Sequence, residues 1–419
     1  MRPMTSTRSR TIPLASERRR LTVEFLWLVS STAAFQASRI ATGLVAAGNL
    51  PPAQFAGWGI ALAILAYSVY FNFGIASGVN RVLPQSIGAG DARRAEQVQE
   101  AGLAGTLAAS AFTLVAAAVI AGLASLDALV VGLLAASASA QQYYLHAQTT
   151  LRSRLRFNMA SFQQTVLAVV FPVVALPMMS SLGVAALVLA QFVSFVVGAA
   201  FSDGWRIRWH PRIWSEVRTL IRIGFPIMLA GLMFAVLTTI DRWAVLVLLG
   251  EEATGLYTLA ALLSSSALLV SVVLAQQSYP RMAYALGRGE SRNYIFAMAV
   301  RQSAVATAIV APASAVLALG APPILEAMLP AYSASAPAIQ ILAIGFVLLV
   351  ASSGFGNYLV VMGRPLVYVS ALAGAAAVEV LLALALVELG VPGIAAAALI
   401  GYAALLVGTA ALAAAVRRR

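Results

Sequence analysis

The chain has 419 residues, 61% of them apolar and 10% charged, and its mean hydropathy is +0.89. This composition excludes an ordinary soluble domain and indicates a membrane protein. The net charge is +12, and all 27 basic residues are arginine. Without lysine there is no phosphate-binding P-loop, and without cysteine there is no disulfide, thiolate catalysis or cysteine-bound metal. Because there are only two histidines as well, we expect no metal site and no cofactor.

Apolar segments that could cross a hydrocarbon core about 30 Å thick follow one another along the chain. We predict twelve transmembrane helices, at residues 25–47, 58–79, 101–123, 128–149, 159–180, 183–202, 223–248, 256–278, 296–320, 337–360, 366–388 and 392–416. The predicted units are a basic tail at 1–24, a six-helix bundle at 25–203, a linker at 204–222, a second six-helix bundle at 223–416 and a basic end at 417–419. We therefore expect an all-α integral membrane protein.

The segments between these helices alternate in charge. Tails and loops on one side hold 25 of the 27 arginines, whereas the opposite loops carry only the acids Asp127, Glu251, Glu252 and Glu326. By the positive-inside rule the arginine side is cytoplasmic, so we expect a multi-pass protein of the bacterial inner (cytoplasmic) membrane with both termini in the cytoplasm. Positive charge beside membrane helices favours anionic lipid as a partner, and we expect no nucleic acid.

The linker at 204–222 is the one amphipathic loop. Ile213, Val217 and Leu220 fall on one helical face, and Arg212 and Arg218 fall away from it. This pattern predicts a helix that lies flat on the inner membrane surface and joins the two halves.

Two cytoplasmic loops repeat one pattern of Arg, Gly-x-Gly, an acid and Arg. The first copy contains Arg81, Gly88, Gly90, Asp91 and Arg93, and the second contains Arg281, Gly287, Gly289, Glu290 and Arg292. A turn followed by a helix N-cap accounts for these residues locally. Because six helices separate the copies, the halves have the same orientation and form a parallel repeat, a design that suits alternating access.

Several short motifs resemble the polysaccharide-unit flippases of the multidrug, oligosaccharidyl-lipid and polysaccharide exporter superfamily. They are Leu50-Pro51-Pro52-Ala53-Gln54-Phe55-Ala56-Gly57-Trp58, Asn72-Phe73-Gly74-Ile75, Gly88-Ala-Gly90-Asp91, Gly224-Phe225-Pro226, Asp241-Arg242, Gly255-Leu256-Tyr257, Tyr279-Pro280-Arg281, Leu329-Pro330-Ala331-Tyr332 and Gly363-Arg364. The resemblance covers essentially the whole chain through the order and spacing of these motifs.

The resemblance implies two six-helix bundles around a central cavity, which carry a polyprenyl-diphosphate-linked oligosaccharide from the inner to the outer leaflet for surface polysaccharide such as O-antigen. It also implies polysaccharide polymerase and chain-length proteins as partners. A cation-coupled multidrug exporter of the same superfamily is the alternative within transport. A membrane enzyme of glycan assembly is the alternative from another class, but the loops are too short for a catalytic domain, so we expect no enzyme and no catalytic residues.

Ionisable side chains within predicted spans indicate a cavity or a partner, because they are costly in lipid. Arg39 and Arg242 lie about 12 to 14 Å inward from Gly48 and Gly250, at near-equivalent positions of the repeat. We expect them to face each other across the cavity and bind the diphosphate. The alternative is that a nearby acid satisfies Arg242, and that helix-end carbonyls or a neighbouring carboxylate such as Glu379 satisfy Arg39.

The remaining polar residues of the spans have less specific patterns. Asp241 and Glu379 are candidate coupling or ion-pairing acids, and Asp241 is expected to pair with another helix rather than with Arg242. The candidate sugar contacts are Gln36, Asn72, Gln141, Gln276 and Asn357. Hydrogen bonds between helices are the alternative for most of these amides.

Overall fold

A computed structural model describes residues 15–88, 90–123, 128–154, 156–202, 211–287 and 289–418. The regular structure of these residues is helical throughout. The α-helices are α1 (Ala15–Asn49), α2 (Pro52–Ser68), α3 (Ile75–Gly88), α4 (Ala92–Leu123), α5 (Ala128–Ser153), α6 (Phe157–Leu182), α7 (Val184–Ala200), α8 (Ile213–Leu237), α9 (Ile240–Leu249), α10 (Glu251–Ser264), α11 (Leu268–Gly287), α12 (Arg292–Met328), α13 (Ala336–Val361), α14 (Pro365–Ala385) and α15 (Gly390–Arg418).

These helices account for the twelve predicted spans, because three spans are each built from two helices: α2 with α3, α8 with α9, and α10 with α11. Nine segments within the described ranges are long and apolar enough to cross a membrane, and α7 is a shorter apolar helix. The predicted all-α membrane architecture is confirmed.

The second and eighth spans are interrupted at corresponding places by a 3-10 turn, Val69–Asn72 in one and Ser265–Ala267 in the other. In the first, Phe73 adopts φ +50° and Gly74 adopts φ +89°. The Asn72 side chain holds this break, since its Nδ2 donates to the Val69 carbonyl at 2.7 Å and its Oδ1 accepts from the Gly74 N–H at 2.9 Å. Backbone groups freed inside a membrane need such partners.

The two repeated arginine-containing loops have the same backbone geometry. Gly90 and Gly289 take left-handed φ values of +74° and +76°. Each copy ends its helix with the same pair of hydrogen bonds, Gly90 N to Ile87 O at 3.0 Å and Asp91 N to Ser86 O at 3.0 Å in one, and Gly289 N to Leu286 O at 3.0 Å and Glu290 N to Ala285 O at 3.1 Å in the other. This double closure is a Schellman-type helix end, which requires glycine at the left-handed position.

The two copies differ in the residue that caps the following helix. Asp91 Oδ1 accepts from the N–H of Arg94 at 2.8 Å. In the second copy the N-cap is Ser291, whose Oγ accepts from the N–H of Tyr294 at 3.2 Å. The acid is therefore a cap in the first loop, while the neighbouring serine has that role in the second.

The predicted flat linker is not a separate surface helix where it is described. Residues 213–222 form the first turns of α8, and positions 204–210 lie outside the described residues. The apolar face of this segment is buried against α3 and α4, in a cluster of Ile213, Val217, Leu220, Ile75, Val79, Leu83, Ala95, Val98, Ala101 and Ala104. Protein packing removes this face from water, so it needs no lipid surface.

The two halves touch at the end of the bundle that carries Asn49 and Gly250. There, a Cβ at Gly255 of α10 would overlap the carbonyl of Pro52 at the start of α2, and a Cβ at Gly59 would overlap the Thr258 hydroxyl. At the arginine-rich end, α3 and α8 also cross closely, because a Cβ at Gly224 would overlap the Gly74 carbonyl. We call this second contact the α3–α8 seam.

Candidate functional site

A cavity of about 320 Å³ lies between the two halves. Residues of α1, α2, α5 and α7 line it from one side. Residues of the α8–α9 break, α9, α10, the Ser265–Ala267 turn, α11 and α13 line it from the other. The polar lining residues are Gln36, Arg39, Gln141, Gln191, Thr238, Thr239, Arg242, Thr258, Ser265 and Ser266. Among its described lining residues the cavity has two cations and no acid.

Arg39 and Arg242, predicted to be equivalent in the repeat, are brought together at this cavity. Arg39 projects from α1 and lies 5.8 Å from the ring centre of Phe35. Arg242 lies in the first turn of α9, directly after the break between α8 and α9. The Nε atom of each guanidinium is buried and has no hydrogen-bond partner within the described structure. A buried donor without a partner calls for an explanation, and an acceptor bound in the cavity would supply one.

Asp241 has a different environment from Arg242, although the two are adjacent. It is 3% exposed, and its Oδ2 accepts a hydrogen bond from the hydroxyl of Tyr257 on α10 at 2.6 Å. Its Oδ1 accepts from the backbone N–H of Arg242 at 2.8 Å. The carboxylate therefore pairs with another helix and does not line the cavity.

Glu379 lies on α14, inside the second half, and is 1% exposed. Both carboxylate oxygens lack a hydrogen-bond partner in the part of the chain that is described. The side chain packs against Gly401 of α15 and interacts electrostatically with Asp241. It makes no hydrogen bond to Arg39, so the alternative in which Glu379 satisfies Arg39 is not what the structure contains.

Two of the five candidate sugar contacts line the cavity in the structure. Gln36 and Gln141 line the cavity, and the Oε1 of Gln141 has no partner among the described residues. Asn72 is occupied in the α2–α3 break, and the Nδ2 of Asn357 donates to the Oε1 of Gln302 at 3.1 Å, between α13 and α12. Gln276 is in α11, and its side chain lies outside the described residues.

Five hydroxyl side chains of the cavity were not predicted, those of Thr238, Thr239, Thr258, Ser265 and Ser266. Thr238 donates to the Phe234 carbonyl at 3.0 Å, and Thr239 donates to the Ala235 carbonyl at 2.7 Å. A hydroxyl that bonds to its own helix is inexpensive in a membrane span, so its presence says little about a site. The available signal was position, since only Ile240 separates the two threonines from the charged pair Asp241-Arg242 of the seventh span.

The sequence and fold were compared with known proteins. The family described as polysaccharide biosynthesis protein matches residues 50–337. No curated protein matches the chain in sequence.

The fold is similar to solved transporters of the MOP superfamily. An inward-facing multidrug resistance MATE family transporter superposes with a TM-score of 0.75 at 17% identity, over 94% of this chain and 99% of that one. An outward-facing structure of such a transporter gives 0.70 at 17% identity, over 94% and 96%. A MOP superfamily transporter from Pyrococcus furiosus, described as having a binding pocket of reverse polarity that suggests a different function, gives 0.70 at 15% identity, over 94% and 96%.

At these identities the structural likeness establishes the fold alone, whereas the family match extends over more than half of the sequence. The matched region runs from the start of α2 to the start of α13 and includes the α8–α9 break with Arg242. The chain is thus a member of the polysaccharide biosynthesis protein family, built on the fold of the MOP superfamily transporters.

Proposed function

We propose that the protein moves a polyprenyl-diphosphate-linked oligosaccharide from the inner to the outer leaflet of the bacterial cytoplasmic membrane, by alternating access between its two halves. The observation that carries the proposal is the pair of buried guanidinium groups, Arg39 and Arg242, in a cavity between the halves with no acid among its described lining residues. Membership of the polysaccharide biosynthesis family supports this class of substrate.

The chemistry of the cavity suits the head of such a lipid. A guanidinium presents N–H groups in a planar fork, and two forks provide paired, charge-assisted hydrogen bonds to the oxygens of a diphosphate. Amides and hydroxyls such as Gln36, Gln141 and Ser265 provide the neutral donors and acceptors that sugar hydroxyls require. The two arginines have no acidic neighbour among the described lining residues, and the diphosphate would supply the compensating negative charge.

The same charge argues against a multidrug exporter of organic cations. A cation entering this cavity would meet two positive groups, and burial strengthens their repulsion. The acids nearest in sequence or space, Asp241 and Glu379, are not among the lining residues. The electrostatics therefore favour an anionic substrate.

Arg39→Ala and Arg242→Ala test the proposal. Each should abolish surface glycan while the protein still inserts and accumulates, and lysine at either position should recover only part of the export, because an ammonium group lacks the bidentate fork. Surface glycan is measured by immunoblot, with protein level in the membrane measured in parallel. Arg301→Ala, which removes an exposed arginine of α12 that does not line the cavity, is the matched control and should export normally. Normal export by the double variant Arg39→Ala, Arg242→Ala would overturn the proposal.

A further inference from the structure

A second cavity, of about 390 Å³, opens on the surface of the bundle where α3, α4 and α8 meet. Its floor is formed by small residues of α4, including Gly105 and Ala109. Three aromatic side chains, Phe73, Phe112 and Trp214, border it, with exposed fractions of 46%, 55% and 53%. Arg218 is its one charged lining residue among those described. We call this site the α8 groove.

The backbone at the α8 groove is strained in a way that places an aromatic ring there. Phe73 is the one described residue other than glycine with a positive φ, at +50°. Its ring contacts that of Phe112 edge to face, with 6.0 Å between ring centres. Strained backbone of this kind persists where the surroundings hold it and often marks a functional position.

The α8 groove runs from the arginine-rich end of the bundle towards its middle. Arg218 precedes the predicted hydrocarbon span of its helix by five residues, so it lies at the arginine-rich end of the groove. Phe112 lies eleven residues inside its own predicted span, about 16 Å deep, near the middle of a core about 30 Å thick. A cation therefore marks the headgroup end, and apolar and aromatic groups continue to the mid-plane.

We propose that the α8 groove binds an anionic phospholipid of the cytoplasmic leaflet. One acyl chain lies on the small residues of α4 beside Phe73 and Phe112, and the phosphate lies at Arg218, one turn of α8 from Trp214. The neighbouring acid, Glu216, is paired with Arg94 at 2.6 Å, so its charge is compensated within the protein. Because α3 and α4 belong to the first half and α8 continues into the second, the lipid contacts both sides of the α3–α8 seam. This inference does not depend on the proposed substrate.

Lipid affinity can be measured on the full-length protein by native mass spectrometry, titrated with phosphatidylglycerol or phosphatidylcholine of identical chains. The wild type should bind phosphatidylglycerol about fivefold more tightly, the equivalent of about 1 kcal/mol per basic residue near the headgroups. Arg218→Gln should remove this preference. Arg222→Gln changes an exposed arginine one turn away that does not line the groove, so it should retain the preference. Equal affinity for the two lipids in the wild type, or an unchanged preference in Arg218→Gln, would overturn the proposal.

Position can be tested separately by fluorescence in nanodiscs with lipids whose acyl chains are brominated close to the headgroup, near the level of Trp214. The quenched signal that is lost in Trp214→Phe reports the groove, and this substitution at a half-exposed position leaves the core intact. Brominated phosphatidylglycerol should quench this signal more strongly than brominated phosphatidylcholine, and the difference should vanish in Arg218→Gln but not in Arg222→Gln. Displacement of phosphatidylglycerol by stoichiometric undecaprenyl phosphate would assign the groove to a polyprenyl chain and would also contradict the proposal.

Discussion

Asp241 and Arg242 show how one helix start gives neighbouring residues opposite surroundings. Successive residues of an α-helix point about 100° apart. Asp241 therefore reaches Tyr257 inside the second half, while Arg242 faces the cavity. The hydrogen bonds of the acid go to Tyr257 and to the backbone of Arg242, which leaves the Nε of the guanidinium available to an anion.

Glu379 is the residue for which we propose proton coupling, together with Asp241. A buried carboxylate without a partner is costly in a membrane protein, and exchange of a proton relieves that cost. Glu379→Gln keeps the volume of the side chain but cannot exchange the proton. Glu379→Gln and Asp241→Asn should insert normally and should weaken the dependence of flipping on a pH gradient.

This dependence is measured in inverted vesicles by the appearance of glycolipid in the inner leaflet under imposed gradients. Tyr257→Phe is the comparison variant, because it removes the hydrogen bond to Asp241 and leaves both acids in place. An unchanged pH dependence in both acid variants would rule out proton coupling through Glu379 and Asp241. It would not affect the proposal that the two arginines bind the diphosphate.

A cavity residue could be predicted where two signals agreed, a charged side chain within a span and an equivalent position in the other half of the repeat. Arg39 and Arg242 stand at matching depths of equivalent helices, and the structure brings both to the cavity. Asn72 and Asn357 carried no such second signal. Polar side chains of membrane helices often bond to neighbouring helices or to their own backbone, and residue type cannot separate that role from substrate contact. The structure places both in such bonds.

At the scale of helices, the contact between α2 and α10 depends on the absence of side chains. Gly255→Val would force branched carbons against the Pro52 carbonyl, which cannot move without shifting α2. Overpacking of this kind typically costs about 1 to 3 kcal/mol. We expect a clear loss of thermal stability in detergent, measured by a fluorescence melt of the purified protein.

Gly374→Val provides the control for this substitution. Gly374 also lies within a membrane helix, α14, but a Cβ there would meet no atom within 4 Å. Its melting temperature should stay close to that of the wild type. If Gly255→Val were as stable as Gly374→Val, the close packing of α2 on α10 would not contribute to the stability of the fold.

Element boundaries were harder to predict than the elements themselves. The length of the apolar segments predicted the spans. It did not predict the breaks at Val69–Asn72 and Ser265–Ala267, because these depend on local hydrogen bonds, which a hydropathy pattern does not contain. The first turns of α8 were predicted to lie on the membrane surface because their pattern is amphipathic. An amphipathic face packs equally well on protein, and only the position of α3 and α4 decides between the two.

For the whole molecule, the orientation in the membrane follows from arginine and remains a proposal. Reporter fusions after Arg94, Arg156, Arg218 and Arg292 should give cytoplasmic signals, and fusions near Asp127, Glu251 and Ala334 should give external ones. Activities of a cytoplasmic and a periplasmic reporter at each point check the assignment. A cytoplasmic signal at Glu251 would show that the arginine-rich loops do not mark the cytoplasmic side.

The global architecture was the most predictable feature, because each of its determinants is repeated many times along the chain. Twelve apolar spans, alternating loop charge and a duplicated turn all favour one arrangement. The Gly90 and Gly289 turns have equal geometry in the structure, as expected of a repeat. The size of the cavity and the identity of its hydroxyls could not be predicted, because they depend on how two bundles meet.

The unpaired charge of the cavity bears on the energy source of the transport cycle. If the arginine-rich face is cytoplasmic, the protein without substrate holds two positive groups within a membrane potential that is negative on the cytoplasmic side. One elementary charge crossing the whole field is worth about 2.3 kcal/mol per 100 mV. A bound diphosphate would cancel this charge, so the loaded step would be nearly indifferent to voltage while the return of the empty carrier would be driven inward. The resting potential would then favour the inward return of the empty protein after each release, in addition to any proton exchange at Glu379 and Asp241.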